Sequence, residues 1–126
     1  MLTGLGAEAR RIVQTCRWSI DGWRAAWASE KSLRQWTGLQ GLSVVLALIL
    51  PLPAGTRALI IALGFLVLAA ELLNTAVETV VDDISDKRRD AARKAKDCAS
   101  AAVALCALAA ASAWAVGLWA VLTGGG

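Results

Sequence analysis

The chain has 126 residues, of which 57% are hydrophobic, with a mean hydropathy of +0.57 and a formal net charge of +3. A soluble domain of this length buries too small a fraction of its surface to hide so much apolar area, so the composition favours a membrane protein with a single domain over residues 1–126. The absence of histidine removes the commonest general base and the commonest neutral metal ligand. The 3 cysteines contain no Cys-x-x-Cys pair, so neither a disulfide framework nor a zinc site is expected.

The N-terminal residues 7–35 are predicted to form an amphipathic helix that lies in the membrane interface. Apolar side chains recur there at helical spacing and form one face: Ile12, Cys16, Ile20, Trp23 and Trp27. Arginines and other polar side chains occupy the opposite face, which is typical of helices in the lipid headgroup layer. An ordinary surface helix of a bundle is the alternative. Glu30 continues the apolar face if the helix runs unbroken through Ser29, and otherwise it is exposed at a helix end.

Three apolar segments follow, and each is predicted to cross the membrane: residues 36–53, 56–81 and 99–122. About 20 apolar residues span a bilayer. The first apolar run is short, so it reaches this length only by including residues that precede Gly38. The sequence from Pro51 to Gly55 is typical of a turn. The predicted fold class is therefore an all-α membrane protein with three transmembrane helices and an N-terminal amphipathic surface helix.

The distribution of basic residues predicts the orientation in the membrane. All of the 13 Lys and Arg residues except Arg57 lie either before residue 37 or between residues 82 and 98. The positive-inside rule places both of these basic regions in the cytoplasm. We therefore expect a multi-pass inner-membrane protein with a cytoplasmic N-terminus, a cytoplasmic segment at 82–98 and a C-terminus on the outer side.

Two carboxylates lie within the second predicted span. Glu71 and Glu78 are seven residues apart with Asn74 between them, so the three share one helical face, which Asp82 continues towards the cytoplasm. An ionisable group near the bilayer centre costs at least about 2.5 kcal/mol. Because carboxylates bind divalent metals or act as bases, the pattern favours a functional site. The alternative is that these side chains only join neighbouring helices by hydrogen bonds.

The cytoplasmic segment 82–98 alternates acidic and basic residues, which is typical of a solvated helix. Lys96 and Asp97 differ from the rest because they lie at the start of the third predicted span, where a lysine can hold phosphates. The sequence contains no glycine-rich phosphate loop and no soluble-kinase catalytic motif. Nucleic acid is not an expected partner, since membrane spans divide the positive charge.

These motifs resemble the signature of the small bacterial integral-membrane diacylglycerol kinases. The resemblance rests on Glu71-Leu-Leu-Asn74-Thr-Ala-Val-Glu78-Thr-Val-Val-Asp82, followed by Ala95-Lys96-Asp97-Cys98-Ala-Ser100. The stretch from Gly22 to Glu30 is similar to the Gram-negative branch of this family. The resemblance implies a homotrimer in the bacterial inner membrane, with active sites between subunits and the C-terminus in the periplasm. It also implies transfer of the γ-phosphate of MgATP to the hydroxyl of diacylglycerol, which gives phosphatidic acid.

The same resemblance implies roles for individual residues. Glu71 is the implied general base and Asn74 orients the reacting groups, whereas Glu30 and Glu78 hold Mg²⁺ on the ATP phosphates. Further ATP contacts are implied for a mostly basic set: Arg11, Trp18, Lys87, Arg88, Arg89, Lys96 and Asp97. Contacts with the lipid substrate are implied, besides Glu71, for Arg11, Ser19, Arg24, Arg34, Ser100 and Trp114.

The chain departs from the family pattern at a few positions. Trp36 stands where the Gram-negative branch is expected to have an acidic residue, and Trp18 stands where a tyrosine is expected. The basic run at 87–89 exceeds what the family's nucleotide loop leads us to expect. These changes bear on affinity and substrate more than on the class of reaction.

Other functions stay open at this point. Undecaprenol kinases of the Gram-positive branch share the implied catalytic residues, although the stretch from Trp23 to Trp27 favours diacylglycerol as the acceptor. A small ion-coupled transporter also carries carboxylates in its membrane helices. Three spans and a polar face that ends at one membrane surface do not outline a transport pathway. A purely structural oligomer is the remaining alternative.

Overall fold

The computed structural model describes residues 2–84, 87 and 89–124, and the secondary structure over this part of the chain is entirely helical. Its elements are α1 (Leu2–Ser29), α2 (Lys31–Ile49), α3 (Ala54–Ile84) and α4 (Asp90–Thr123). The all-α prediction is therefore confirmed for the described residues. The last helix begins before the predicted span at 99–122, so part of the predicted cytoplasmic segment continues the same helix.

A single extended residue separates α1 from α2. Glu30 has φ −98° and ψ 113°, so the first helix ends at Ser29 and not at the predicted residue 35, and of the two alternatives left open for Glu30 the helix end is the one observed. Arg34 stabilises this break, because its Nη1 donates to the carbonyl oxygens of Trp27 at 2.6 Å and Ala28 at 3.4 Å. Carbonyls in the last turn of a helix have no partner within the helix, and a cation there also interacts favourably with the helix dipole.

A short turn that contains two prolines joins α2 to α3. Proline lacks an N–H group and interrupts a helix, which explains why α2 ends at Ile49, just before the turn. Arg57 holds the turn together from the first turns of α3. Its Nε donates to the carbonyl oxygen of Ala47 at 2.8 Å, and its Nη2 donates to those of Leu50 and Leu52, both at 3.3 Å. The turn predicted at 51–55 lies at residues 50–53 in the structure, because α2 ends at Ile49 and α3 already begins at Ala54. The cation of this turn is engaged by backbone carbonyls.

The core consists of two small clusters along α3. One joins Ala47, Leu52, Ile60 and Ala113, so it links the α2–α3 turn to the far half of α4. The other joins Ala26, Leu33 and Leu68 and attaches the end of α1 to α2 and α3. Gly117 allows α4 to approach closely, since a Cβ atom there would lie 2.9 Å from a methyl group of Leu52. The helices therefore pack through few buried side chains, which are alanine, leucine and isoleucine in these two clusters.

Two of the described helices, α3 and α4, are long and apolar enough to cross a membrane. Only 28% and 17% of their apolar windows are buried within the chain, which distinguishes them from core helices of a soluble protein. Large apolar side chains point outwards instead, as expected for surfaces that face lipid or another subunit. The third span, which α2 (Lys31–Ile49) would provide, stays a prediction.

Candidate active site

The predicted polar face of α3 contains one buried and two half-buried side chains. Glu71 is 4% exposed, and Asn74 and Glu78 are half buried. Asn74 Nδ2 donates a hydrogen bond to Glu78 Oε1 at 3.2 Å. These contacts follow from helical spacing, because residues three or four apart lie on one face. The face thus combines a buried carboxylate with an amide–carboxylate pair one turn nearer the end of α3.

Asn74 leaves one buried acceptor unused. Its Oδ1 atom is buried and has no hydrogen-bond partner in the part of the chain that the structure describes. A buried amide oxygen without a partner costs about 1–3 kcal/mol, so such an atom calls for an explanation. The oxygen lies on the same amide that holds Glu78. A bound donor or a cation at this point would supply the missing contact.

Glu71 is both buried and unpaired, which distinguishes it from the acidic residues that have a described partner. Within residues 2–84 and 89–124, its carboxylate has no ion pair or hydrogen bond, whereas Asp82, Asp97 and Glu8 each pair with a cation. The Glu71 carboxylate is thus left without a partner in the described part of the chain. Its place on α3 therefore suits a general base that acts on a group arriving from outside the chain.

The middle of α1 runs alongside this part of α3. A groove of about 450 Å³ separates the two helices, with Trp18 and Ser19 on one side and Leu72, Thr75 and Thr79 on the other. Two residues predicted to contact ATP or lipid are thus placed next to the α3 segment that carries the polar face. Ser19 itself donates to the Thr15 carbonyl oxygen at 3.0 Å.

Glu30, a predicted metal ligand, lies at the break between α1 and α2. It is half buried, and one carboxylate oxygen accepts a hydrogen bond from Ser29 Oγ at 2.9 Å. Among the described residues there is no group of three or more acidic or cysteine side chains that would enclose a metal ion. A magnesium ion usually takes only one or two protein carboxylates and completes its shell with phosphates and water. The Glu30 carboxylate is one oxygen ligand of this kind.

Near the end of α3 and the start of α4, the predicted nucleotide residues have different surroundings. Lys96 Nζ donates to Asp82 Oδ1 at 2.6 Å and so connects α4 to α3. Asp97 instead pairs with Arg93 on α4 at 3.4 Å. Two further predicted residues, Lys87 and Arg89, are exposed between α3 and α4, whereas Arg88 lies outside the described residues. The sequence did not single out Asp82 as the partner of Lys96.

Several predicted site residues have contacts away from the α3 carboxylates. Arg11 forms an exposed ion pair with Glu8 at 3.1 Å, and Arg34 caps the end of α1. Arg24 lines a separate groove of about 380 Å³ beside Trp23 and Trp27. Ser100 is exposed on α4. Within this single chain, these residues are not assembled into one site.

Trp114, a predicted lipid contact, lines a larger groove of about 650 Å³ between α2, α3 and α4. Its indole N–H donates to Ser43 Oγ at 2.9 Å. Gly64 and Val67 form the α3 side of this groove, and they lie seven and four residues before Glu71 on the same helical face. The groove therefore continues the polar face of α3 into the apolar part of the helix bundle.

The sequence did not identify the polar residues that α2 contributes to this groove. Gln40 is 7% exposed and donates from Nε2 to the Ile61 carbonyl oxygen at 3.1 Å. Together with Ser43, it is a polar exception in an otherwise apolar segment, and that was the available signal. The tryptophan at position 36, noted as a departure from the family pattern, also lines the groove.

Comparisons with known proteins assign a family to the chain. Residues 17–118 match the family described as prokaryotic diacylglycerol kinase. The chain is 39% identical over 109 residues to the diacylglycerol kinase of Escherichia coli strain K12, which covers 86% of this chain and 89% of that protein. It is 39% identical over 93 residues to the Pseudomonas aeruginosa diacylglycerol kinase, covering 74% and 76%. For the Haemophilus influenzae diacylglycerol kinase, the identity is 36% over 97 residues, covering 75% and 82%.

Proposed function

Because the chain belongs to the prokaryotic diacylglycerol kinase family, we propose that it transfers the γ-phosphate of MgATP to the free hydroxyl of diacylglycerol, giving phosphatidic acid. The reaction takes place at the cytoplasmic face of the membrane. The observation that carries the proposal is the α3 face, on which a buried and unpaired Glu71 lies next to Asn74 and Glu78. Membership in a kinase family makes the protein an enzyme, and the α3 face supports a catalytic centre within it.

Glu71 acts as the general base. Phosphoryl transfer depends mainly on positioning and charge neutralisation, together with a carboxylate that accepts the proton of the attacking hydroxyl. The hydroxyl of diacylglycerol gives its proton to the Glu71 carboxylate as its oxygen attacks the γ-phosphorus, and ADP leaves. Burial of most of the Glu71 side chain limits the access of bulk water, the competing nucleophile, to this centre.

Glu78 and Asn74 provide oxygen atoms that fit a magnesium ion. Carboxylate and amide oxygens are ligands that hard divalent cations accept, and the unused Asn74 Oδ1 is such an atom. When bound with ATP, Mg²⁺ neutralises the phosphate charge. We assign Glu30 and Glu78 as the metal-binding carboxylates, and Asn74 holds Glu78 in orientation through the 3.2 Å hydrogen bond.

The remaining predicted residues divide between the two substrates. The nucleotide contacts are assigned to residues near the cytoplasmic ends of the helices: Arg11, Trp18, Lys87, Arg88, Arg89, Lys96 and Asp97. The lipid contacts are assigned to Arg11, Ser19, Arg24, Arg34, Ser100 and Trp114. The groove that Trp114 lines supports this assignment, since it continues from the Glu71 face into the apolar region where acyl chains lie.

The proposed enzyme is a homotrimer of three-span subunits in the bacterial inner membrane, with a cytoplasmic N-terminus and a periplasmic C-terminus. Exposed apolar side chains along α3 and α4 support a membrane and subunit environment. Active sites between subunits would account for predicted residues such as Arg24 and Ser100, which this chain alone leaves away from the α3 carboxylates.

Transfer of labelled γ-phosphate from MgATP by the purified protein in mixed micelles tests the proposal. We expect label in diacylglycerol, and a parallel reaction with undecaprenol tests the alternative acceptor. Label only in undecaprenol would keep the mechanism and change the substrate. Absence of label from both, with folded protein, would contradict the proposal, and ATP-independent ion flux in proteoliposomes would then favour a transporter.

Replacing the base tests its role directly. Glu71→Gln keeps the size of the side chain and removes its basicity, so turnover is expected to fall by at least about 100-fold. MgATP binding should survive, because this carboxylate acts on the lipid. Asp83→Asn, an exposed change on the same helix, serves as the control with turnover near that of the unmodified protein. Near-full turnover of Glu71→Gln would contradict the assignment.

A further inference from the structure

An ion pair joins the cytoplasmic ends of α3 and α4. Lys96 Nζ lies 2.6 Å from Asp82 Oδ1, although the two residues are 14 positions apart in the chain. Asp82 lies four residues after Glu78, so it continues the polar face of α3 by one helical turn. The contact therefore holds the Lys96 ammonium group next to the end of the face that carries Glu71, Asn74 and Glu78.

The geometry of this pair differs from that of the other ion pair on α4. Arg93 and Asp97 lie four residues apart on one helix, their atoms are 3.4 Å apart, and their side chains are 73% and 65% exposed. Such surface pairs contribute little to stability. The Asp82 side chain is 66% exposed, much as that of Asp97 is, but the Lys96 side chain is only 36% exposed, and the contact is shorter and connects two helices. This contact thus fixes the position of one particular cation.

A fixed lysine retains the capacity to bind phosphate. An ammonium group has three N–H donors, and the contact with Asp82 uses one of them. Lysine has a flexible four-carbon stem, so its ordering costs entropy when it binds a ligand. If Asp82 orders the stem beforehand, that part of the cost is not incurred on nucleotide binding.

We propose that Asp82 is a positioning residue for the kinase reaction: it holds Lys96 against the polar face of α3, where the ammonium group meets the phosphates of the nucleotide. Asp82 itself touches no substrate. This inference rests on the proposed function, in which Lys96 contacts ATP. Asp82 is expected to affect nucleotide affinity, because neither partner of the ion pair takes part in the proton transfer at Glu71.

The test compares steady-state kinetics of Asp82 variants with those of the unmodified protein in mixed micelles. Asp82→Ala is expected to raise KM for ATP by about three- to ten-fold, the effect of ordering one flexible side chain, with kcat changed less than about two-fold. Asp82→Glu keeps the carboxylate and should restore much of the affinity. Asp83→Ala removes the same charge from the adjacent, exposed residue and should leave KM unchanged.

A double-variant cycle separates this inference from the function on which it rests. Lys96→Met should raise KM for ATP, and adding Asp82→Ala to it should produce no further increase. If Lys96→Met raises KM while Asp82→Ala does not, the positioning role is wrong and the proposed function stands. If Lys96→Met leaves KM unchanged, the nucleotide role of Lys96 fails, and the inference fails with it.

Two other results would overturn the inference. A lower KM in Asp82→Ala would mean that Asp82 competes with phosphate for Lys96. A fall in kcat and in the thermal unfolding temperature at unchanged KM would mean that the ion pair only stabilises the fold. Should Asp82→Ala fail to fold, Asp82→Asn replaces it in the cycle, since an amide keeps the size of the side chain and lacks the charge.

Discussion

Replacing Gly64 with alanine is expected to displace the Gln40 side chain from between α2 and α3. A Cβ atom at residue 64 would overlap the Gln40 amide oxygen and would lie 2.6 Å from its Nε2 atom. The overlapping group is the end of a flexible side chain, so the amide can swing out while the two helices stay in place. The cost is therefore the loss of the hydrogen bond from Gln40 to the Ile61 carbonyl oxygen.

Two opposing effects determine how much Gly64→Ala changes the free energy of unfolding. A hydrogen bond between membrane helices contributes about 0.6 kcal/mol on average and up to about 1.7 kcal/mol. Alanine in place of glycine within a helix gains about 0.5–1 kcal/mol. A Cβ at Gly41 meets no atom within 4 Å, so Gly41→Ala should show the gain alone. We expect Gly64→Ala to be less stable than Gly41→Ala by about 1–2 kcal/mol.

Equilibrium unfolding in mixed micelles by an ionic detergent measures the free energy of unfolding for both variants. A second pair of proteins in the Gln40→Ala background completes the cycle, because the overlap needs both residues. In that background, Gly64→Ala should no longer lower the free energy of unfolding, and it should raise it by nearly as much as Gly41→Ala does. Equal stability of the two glycine variants in the unmodified protein would refute the reasoning, as would a penalty that persists without Gln40.

Two further predictions concern metal binding and the α2–α3 turn. Glu78→Gln should raise the Mg²⁺ concentration for half-maximal activity by about ten-fold or more, since it removes a carboxylate proposed as a metal ligand; a metal titration of activity checks this, and an unchanged midpoint would contradict the assignment. Arg57→Met should lower the free energy of unfolding by about 2 kcal/mol, because three carbonyl oxygens lose a charged donor; Arg57→Lys should recover part of the loss, and stability equal to the unmodified protein would count against the role of Arg57.

Strong sequence patterns predicted much of the fold. The apolar segments at 56–81 and 99–122 fall within α3 and α4, since long apolar runs are a local property of the chain. The family predicted from the motif between Glu71 and Asp82 is confirmed by the match over residues 17–118. The roles of the individual site residues stay predictions, as do the third span and the trimer.

The sequence left the break at Glu30 open, as one of two alternatives for this residue. Its neighbourhood contains neither glycine nor proline, so no local signal ends the helix there. The break depends on contacts between elements, namely the Arg34 guanidinium on the end of α1 and the packing of Ala26 and Leu33 against Leu68. Tertiary contacts of this kind override a helical pattern that is otherwise continuous.

The pairings of Gln40 with Ile61 and of Lys96 with Asp82 have the same origin. Each joins two helices, so each depends on how the helices are placed relative to one another. The sequence presents Gln40 only as a polar exception and Lys96 only as a cation near the membrane surface. The distances between helices, which the amino-acid pattern does not contain, decide what these side chains contact.

The connection between α1 and α2 has a mechanical consequence. A loop of several residues would let one helix change its tilt while the other stays still, but here a single extended residue joins them. Its own N–H donates to the Ala26 carbonyl oxygen at 2.8 Å, and Arg34 ties the following helix to the end of α1. Any change in the angle between the two helices must therefore be taken up by the backbone dihedral angles of Glu30, and it would reorient the same carboxylate to which we assign metal binding.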